Sequence, residues 1–165
     1  MEARLMYKRI LVGWDGSKQS IKALETAVRL AERDGSDLFV FHAIRHHYHL
    51  PFITIAPTIS YMAPYYYYSG DSQLHESLIA AGSDLLDEAK RRVHEMGLDL
   101  HGDLDFHLET DLPPAEYAEY FAREMDVDLI VVGCKGHHSR TRSALIGTVA
   151  GKLLNDAPCQ VLIVG

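Results

Sequence analysis

Two glycine-marked points flank a cationic stretch near the C-terminus. Gly133-Cys134-Lys135-Gly136 closes one apolar run, and Gly147-Thr148 opens an amphipathic one. Glycine lets backbone approach a phosphate closely, and a helix N-terminus presents free N–H groups at the positive end of its dipole. Thr148 adds a hydroxyl suited to a phosphate oxygen or to a magnesium ion bound there. Lys135, His137, His138, Arg140 and Arg142 crowd the interval with donors. Phosphate binding is the chemistry this pattern suits; the competing reading is a solvated basic loop that uses glycines to turn. A P-loop is excluded, because Gly147 to Gly151 spans three intervening residues rather than four and Leu153, not a hydroxyl, follows Lys152. No G-x-G-x-x-G follows the first apolar run, which weakens a dinucleotide reading.

Asp15 lies just past that first run. A carboxylate there can accept bonds from ribose hydroxyls or cap the helix that follows; capping is the commoner use. His42, His46, His47 and His49 form a second group, with His137 and His138 on another loop. Imidazole suits zinc, copper or nickel, yet no H-x-x-x-H pair on a helix and no Cys–His zinc pattern accompanies them. We therefore expect no metal on these side chains, with His42 packing within a strand. The run Tyr65–Tyr68 could cover a bound base, meet a partner chain or pack its own loop down.

These residues need a scaffold, and hydrophobic periodicity supplies its outline. Ile10–Val12, Leu38–Ile44, Leu129–Val132 and Gln160–Val164 read as buried strands, and Asp103–Leu108 as a more polar edge strand. Helical spacing links Ile21, Leu24, Ala27, Val28 and Ala31 behind a Ser17 N-cap, then Ile79, Leu86, Ala89, Val93 and Met96 ahead of Gly97. Two further helices start near Pro113-Pro114 and at Gly147. The alternation predicts an α/β fold, a doubly wound five-stranded parallel sheet with helices on both faces. Ligands of such sheets bind beyond the C-terminal strand ends, at the switch point. The segment 45–72, rich in Tyr, Pro, Ile and His, is too long for an ordinary βα loop.

The chain has 165 residues, 47% of them hydrophobic, and a net charge of −7. One domain over 1–165 follows, with 45–72 as an insertion between strand 2 and helix 2. The acidic balance argues against nucleic acid or an anionic membrane as a partner. MEARLMYKRILVG has too short an apolar run for a signal peptide, and no stretch reaches the length of a membrane span. Cys134 and Cys159 are expected at opposite ends of neighbouring strands, on the order of 15 Å apart and too far for a disulfide. Reduced thiols in a cytoplasmic protein are the expectation.

Four segments in order carry a family resemblance: KRILVGWDGSKQS, LFVFHAI, DLIVVGCKGHH with IGTVAGKLL, and APCQVLIV. Together they resemble a universal stress protein domain over nearly the whole chain outside 45–72. The resemblance implies strand order 3-2-1-4-5, as in the adenine nucleotide α-hydrolase-like folds. It also implies ATP, with magnesium or manganese through the phosphates, by way of the family pattern G-x2-G-x9-G-[ST]. On that basis Gly133, Lys135 and Gly136 line ribose and phosphates, and Gly147, Thr148 and Val149 hold the phosphates from the helix start. Asp15 meets the ribose, the backbone at Ala43 meets the adenine edge, and Gly13, Trp14 and Val132 flank the nucleotide. The chain departs from the pattern once, with ten residues between Gly136 and Gly147 instead of nine. The expected role is a nucleotide-dependent module in a stress response, with at most slow ATP hydrolysis. A homodimer through 160–164 and a protein partner at 45–72 are also expected. Two alternatives stay open: a family member that works through protein contacts without nucleotide, and an adenine-nucleotide α-hydrolase-type enzyme.

Overall fold

Side chains of consecutive strand residues point to opposite faces of a sheet, so a strand that is apolar throughout must be covered on both sides. A computed structural model describes residues 6–44, 72–97, 99–135 and 146–165 of this chain. Its elements run β1 (Arg9–Gly13), α1 (Lys18–Asp34), β2 (Asp37–Ala43), α2 (Ser72–Glu95), β3 (Leu104–Glu109), α3 (Pro114–Glu124), β4 (Leu129–Gly133), α4 (Thr148–Asp156) and β5 (Gln160–Val164). The strands form one parallel sheet in the order β3-β2-β1-β4-β5. This is the expected topology, with the more polar β3 at one edge.

The two faces are sorted by alternation. Ile10, Val12, Leu38, Val40, Leu129 and Val131 pack with α1 and α2. Leu11, Phe39, Phe41, Ile130 and Val132 pack with α3 and α4. Helix α1 buries Ala23, Leu24, Ala27, Val28 and Ala31, the stripe its sequence spacing requires. Ser17 caps it by accepting the Ser20 N–H, and Gly35 ends it in the left-handed region at φ 67°. Helix α3 starts on Pro114, which has no N–H to waste. No helix among the described residues is long and apolar enough to cross a membrane.

The second face carries an aromatic cluster. Phe41 and Phe121 lie tilted against Tyr117 with ring centroids 5.1 and 5.6 Å away, and Phe39 meets Phe121 edge-on at 5.2 Å. Burial, and then the Glu109 carboxylate, push the Tyr117 phenol up to about 12. An unfolded phenol releases its proton near pH ~10. The unfolded chain therefore loses the proton first, and stability present below pH ~10 is lost as the pH rises toward the folded value. Denaturant unfolding at pH 9 and pH 11 should show a larger alkaline loss for the native chain than for Tyr117→Phe. Equal losses in the two proteins would contradict this burial argument.

His46–His49, Tyr65–Tyr68, Gly136 and His137–Arg142, whose possible roles are weighed above, lie outside the described residues.

Candidate functional site

The order β3-β2-β1-β4-β5 places the switch point between β1 and β4, where the chain leaves the two strands in opposite directions. Register sets which residues arrive there. Gly13 is level with Phe41 on β2, and Gly133 with Val164 on β5. Gly13, Trp14 and Asp15 thus leave β1 at the same rim that Ala43 reaches from β2. Val132, Gly133 and Lys135 reach it from β4, and Gly147, Thr148 and Val149 from the start of α4. Gly136 belongs to the same loop by sequence and lies outside the described residues.

The start of α4 is tied back to the end of β4. The Gly147 N–H donates to the Cys134 carbonyl at 2.6 Å, and the Cys134 N–H donates to the Val164 carbonyl at 2.7 Å. These bonds latch the start of α4 to the end of β4, whatever path the intervening residues take. Gly147 is thereby held beside the end of β4. Gly147 itself is the N-cap and, having no side chain, supplies no capping acceptor. Thr148 is exposed, and Val149 is half-buried against the second core. Helix α4 thus starts at the rim with no N-cap side chain over its first N–H groups, whereas α1 starts under the Ser17 hydroxyl.

The glycines have separate reasons. A Cβ on Gly133 would stand 2.8 Å from Gln19 Cβ and 3.0 Å from the Ser20 nitrogen, so the first turn of α1 crosses β4 too closely for a side chain. A Cβ on Gly13 would meet Val132 Cγ1 at 3.3 Å and Phe41 Cζ at 3.4 Å. On Gly147 it would meet the Cys134 carbonyl oxygen at 3.2 Å, within the latch. Gly16 adopts φ 73°, a left-handed turn that also seats it over Leu85.

Trp14 takes an unexpected position. Its indole is 3% exposed and packs in the core between α1 and α2, away from the rim. The indole N–H donates to the Leu85 carbonyl at 2.8 Å, and the Arg92 guanidinium lies 6.0 Å from the ring centroid. Only its main chain borders the rim. The Trp14 carbonyl takes a 2.8 Å bond from His42 Nδ1; a carbonyl can only accept, so Nδ1 carries the proton. Sequence reading had His42 packing in its strand but gave no sign of this brace, because nothing local links residues 28 positions apart.

Asp15 Oδ1 accepts the Ser17 N–H at 3.0 Å, a local turn ahead of the helix, while the cap itself is Ser17. Its N–H donates to Ser20 Oγ at 3.4 Å. Along β2, the Phe41 carbonyl accepts the Trp14 N–H, while the Ile44 N–H donates to Glu109 on the β3 side. By alternation the Ala43 peptide groups face the β1 side, where β1 has already ended. An adenine edge placed there would find backbone rather than side chains.

Among the described residues, no group of three or more His, Cys, Asp or Glu side chains is placed to hold a metal ion. Cys134 and Cys159 are both free. Burial, and then Asp128, push the Cys159 thiol up, which keeps it protonated and unreactive near neutral pH. Cys159 borders a shallow depression with Arg123, Asp126 and Asp128 at the opposite ends of the strands, far from the rim.

Known proteins share the sequence family and the fold of this chain. The universal stress protein family matches residues 6–165. The chain is 28% identical over 160 residues to universal stress protein MJ0531 of Methanocaldococcus jannaschii, covering 96% of this chain and 82% of that one. It is 29% identical over 159 residues to universal stress protein YxiE of Bacillus subtilis, covering 96% and 99%. In fold it is similar to UspA from Lactobacillus plantarum, with a TM-score of 0.72, 23% identity and coverage of 96% and 98%. It is also similar to the Archaeoglobus fulgidus universal stress protein in complex with dAMP (TM-score 0.62, 18% identity, coverage 97% and 99%). A universal stress protein in complex with cAMP aligns with a TM-score of 0.59, 24% identity and coverage of 96% of each chain. The sheet order, the rim and the extent of these matches lead to one assignment: this chain belongs to the universal stress protein family.

Proposed function

We propose that this chain binds an adenine nucleotide at the rim between β1 and β4, with ATP as the ligand. The observation that carries the reading is the 2.6 Å latch from Gly147 to Cys134, which holds the uncapped start of α4 beside the end of β4. Phosphates meet the first N–H groups of α4, the Thr148 hydroxyl and Lys135, with Gly133 and Gly136 allowing close approach. Asp15 meets the ribose, and the Ala43 backbone meets the base. Gly13, Trp14 and Val132 contribute through main chain, and Val149 through its N–H. A magnesium or manganese ion belongs on the phosphates, with Thr148 beside it. Relatives in fold that carry dAMP and cAMP support the adenine class.

The role is binding, with hydrolysis slow at most. We place it as a nucleotide-dependent module of a cytoplasmic stress response, one domain over 1–165. Strand β5 is an outer strand of the sheet, and Val161–Val164 are only half-buried. Pairing of 160–164 with a second copy removes that edge, and the segment 45–72 is left for a protein partner.

Thermal unfolding tests the binding reading. Millimolar Mg-ATP should raise the midpoint, as any ligand of the folded state does, while GTP should raise it less. An unmoved midpoint would overturn the reading. It would favour the second one, action through protein contacts alone, for which the bond of the Asp15 carboxylate to its own chain speaks.

A further inference from the structure

Trp14 stands next to the carboxylate that the rim offers a ribose, and each of its polar groups is tied down. Its N–H donates to the Phe41 carbonyl at 2.8 Å. Its carbonyl accepts from His42 Nδ1 at 2.8 Å. Its indole N–H donates to the Leu85 carbonyl in the middle of α2 at 2.8 Å. Leu85 also underlies Gly16, the residue on the other side of Asp15, where a Cβ would meet its Cδ2 at 2.9 Å. Asp15 is therefore held between two residues that both rest on one residue of α2.

We propose that Trp14 is a positioning residue: it anchors the Asp15 loop to α2 and so orients the Asp15 carboxylate toward the ribose hydroxyls of a bound nucleotide. The inference rests on the nucleotide reading above and adds a source of selectivity to it. The main-chain bonds of Trp14 hold its backbone to β2, as any residue at this place could. The indole bond is particular to tryptophan, which alone offers an apolar body with a single donor at this reach. Without it, the turn Trp14–Asp15–Gly16 keeps its path along the sheet but loses its one side-chain hydrogen bond to Leu85. A carboxylate that must be ordered on binding gives back part of its affinity, whereas a preorganised one does not.

The test separates orientation from simple loss of structure. Calorimetry should compare Mg-ATP with 2′,3′-dideoxy-ATP, which lacks the hydroxyls that Asp15 would accept from, in the native chain and in Trp14→Phe. The variant is expected to bind ATP about three- to tenfold more weakly, the range of one net hydrogen bond. Its affinity for the dideoxy nucleotide should fall by less. Where phenylalanine does not fold, benzothienylalanine keeps the indole outline and replaces the N–H by sulfur; Trp14 is the single tryptophan, so the replacement goes to one site. Equal weakening for both nucleotides would mean a purely structural role and overturn the inference. So would an unchanged ATP affinity in a folded variant. If the native chain binds both nucleotides equally, the ribose contact is absent; the inference falls while nucleotide binding stands. If it binds neither, both fall together.

Discussion

Gly133→Ala is expected to lower the thermal unfolding midpoint by about 2–12 °C, the shift that an overpacking cost of ~1–3 kcal/mol produces in a domain of this size. The added methyl would stand 2.8 Å from Gln19 Cβ, 2.9 Å from the Gln19 carbonyl carbon and 3.0 Å from the Ser20 nitrogen. Two of those three atoms are backbone, so no side-chain rotation can relieve the contact. They belong to the first turn of α1, whose cap residues Ser17 and Ser20 are buried at 5% and 3% exposure. Moving this turn would disturb the Ser17–Ser20 cap and the Asp15–Ser17 bond together. Circular dichroism melts of the two proteins check the prediction. An unchanged midpoint would show that α1 can withdraw from β4 without cost and that Gly133 is glycine for another reason.

Gly147→Val should leave the midpoint nearly unchanged and reduce Mg-ATP affinity by more than about tenfold, the worth of one charge-assisted hydrogen bond or more. The backbone at Gly147 has φ −72° and ψ 164°, an extended conformation that valine adopts freely. Strain is thus not the cause. The new Cβ would meet the Cys134 carbonyl oxygen at 3.2 Å and Lys135 Cα at 3.5 Å, wedging apart the latch that sets where the first N–H groups of α4 point. Helix α4 remains anchored through Ala150 and Leu153, both 1% exposed. Gly151→Ala is the control: the nearest atom to a Cβ there is 4.0 Å away, so neither stability nor affinity should fall. Calorimetric titration reads both variants, and native affinity in folded Gly147→Val would contradict the latch as the basis of binding.

The sheet was legible because its strands are apolar on both faces. Such runs as Ile10–Val12 and Leu129–Val132 have no alternative to burial between two helical layers, and the turns after Gly35 and Gly97 were marked by glycine at left-handed φ. The placement of the rim residues followed from the topology, since parallel strands deliver all their C-terminal ends to one side. What the sequence could not convey was the reason for individual residues. Gly133 reads as a ligand glycine, yet its first constraint is the crossing of α1. Trp14 reads as a wall of the nucleotide site, yet its ring is in the core, held by Leu85 from 71 positions away. Each of these depends on contacts between elements distant in sequence, which neither periodicity nor a spacing pattern encodes. The Ser17 cap of α1 was legible, because it involves only residues of the first turn.

Native mass spectrometry of the full chain, as purified and with millimolar Mg-ATP added, tests the central claim most directly. The predicted result is one adenine nucleotide bound per chain, absent from Gly147→Val under the same conditions. A spectrum that shows only the bare chain in both samples, from protein that is folded, would contradict it.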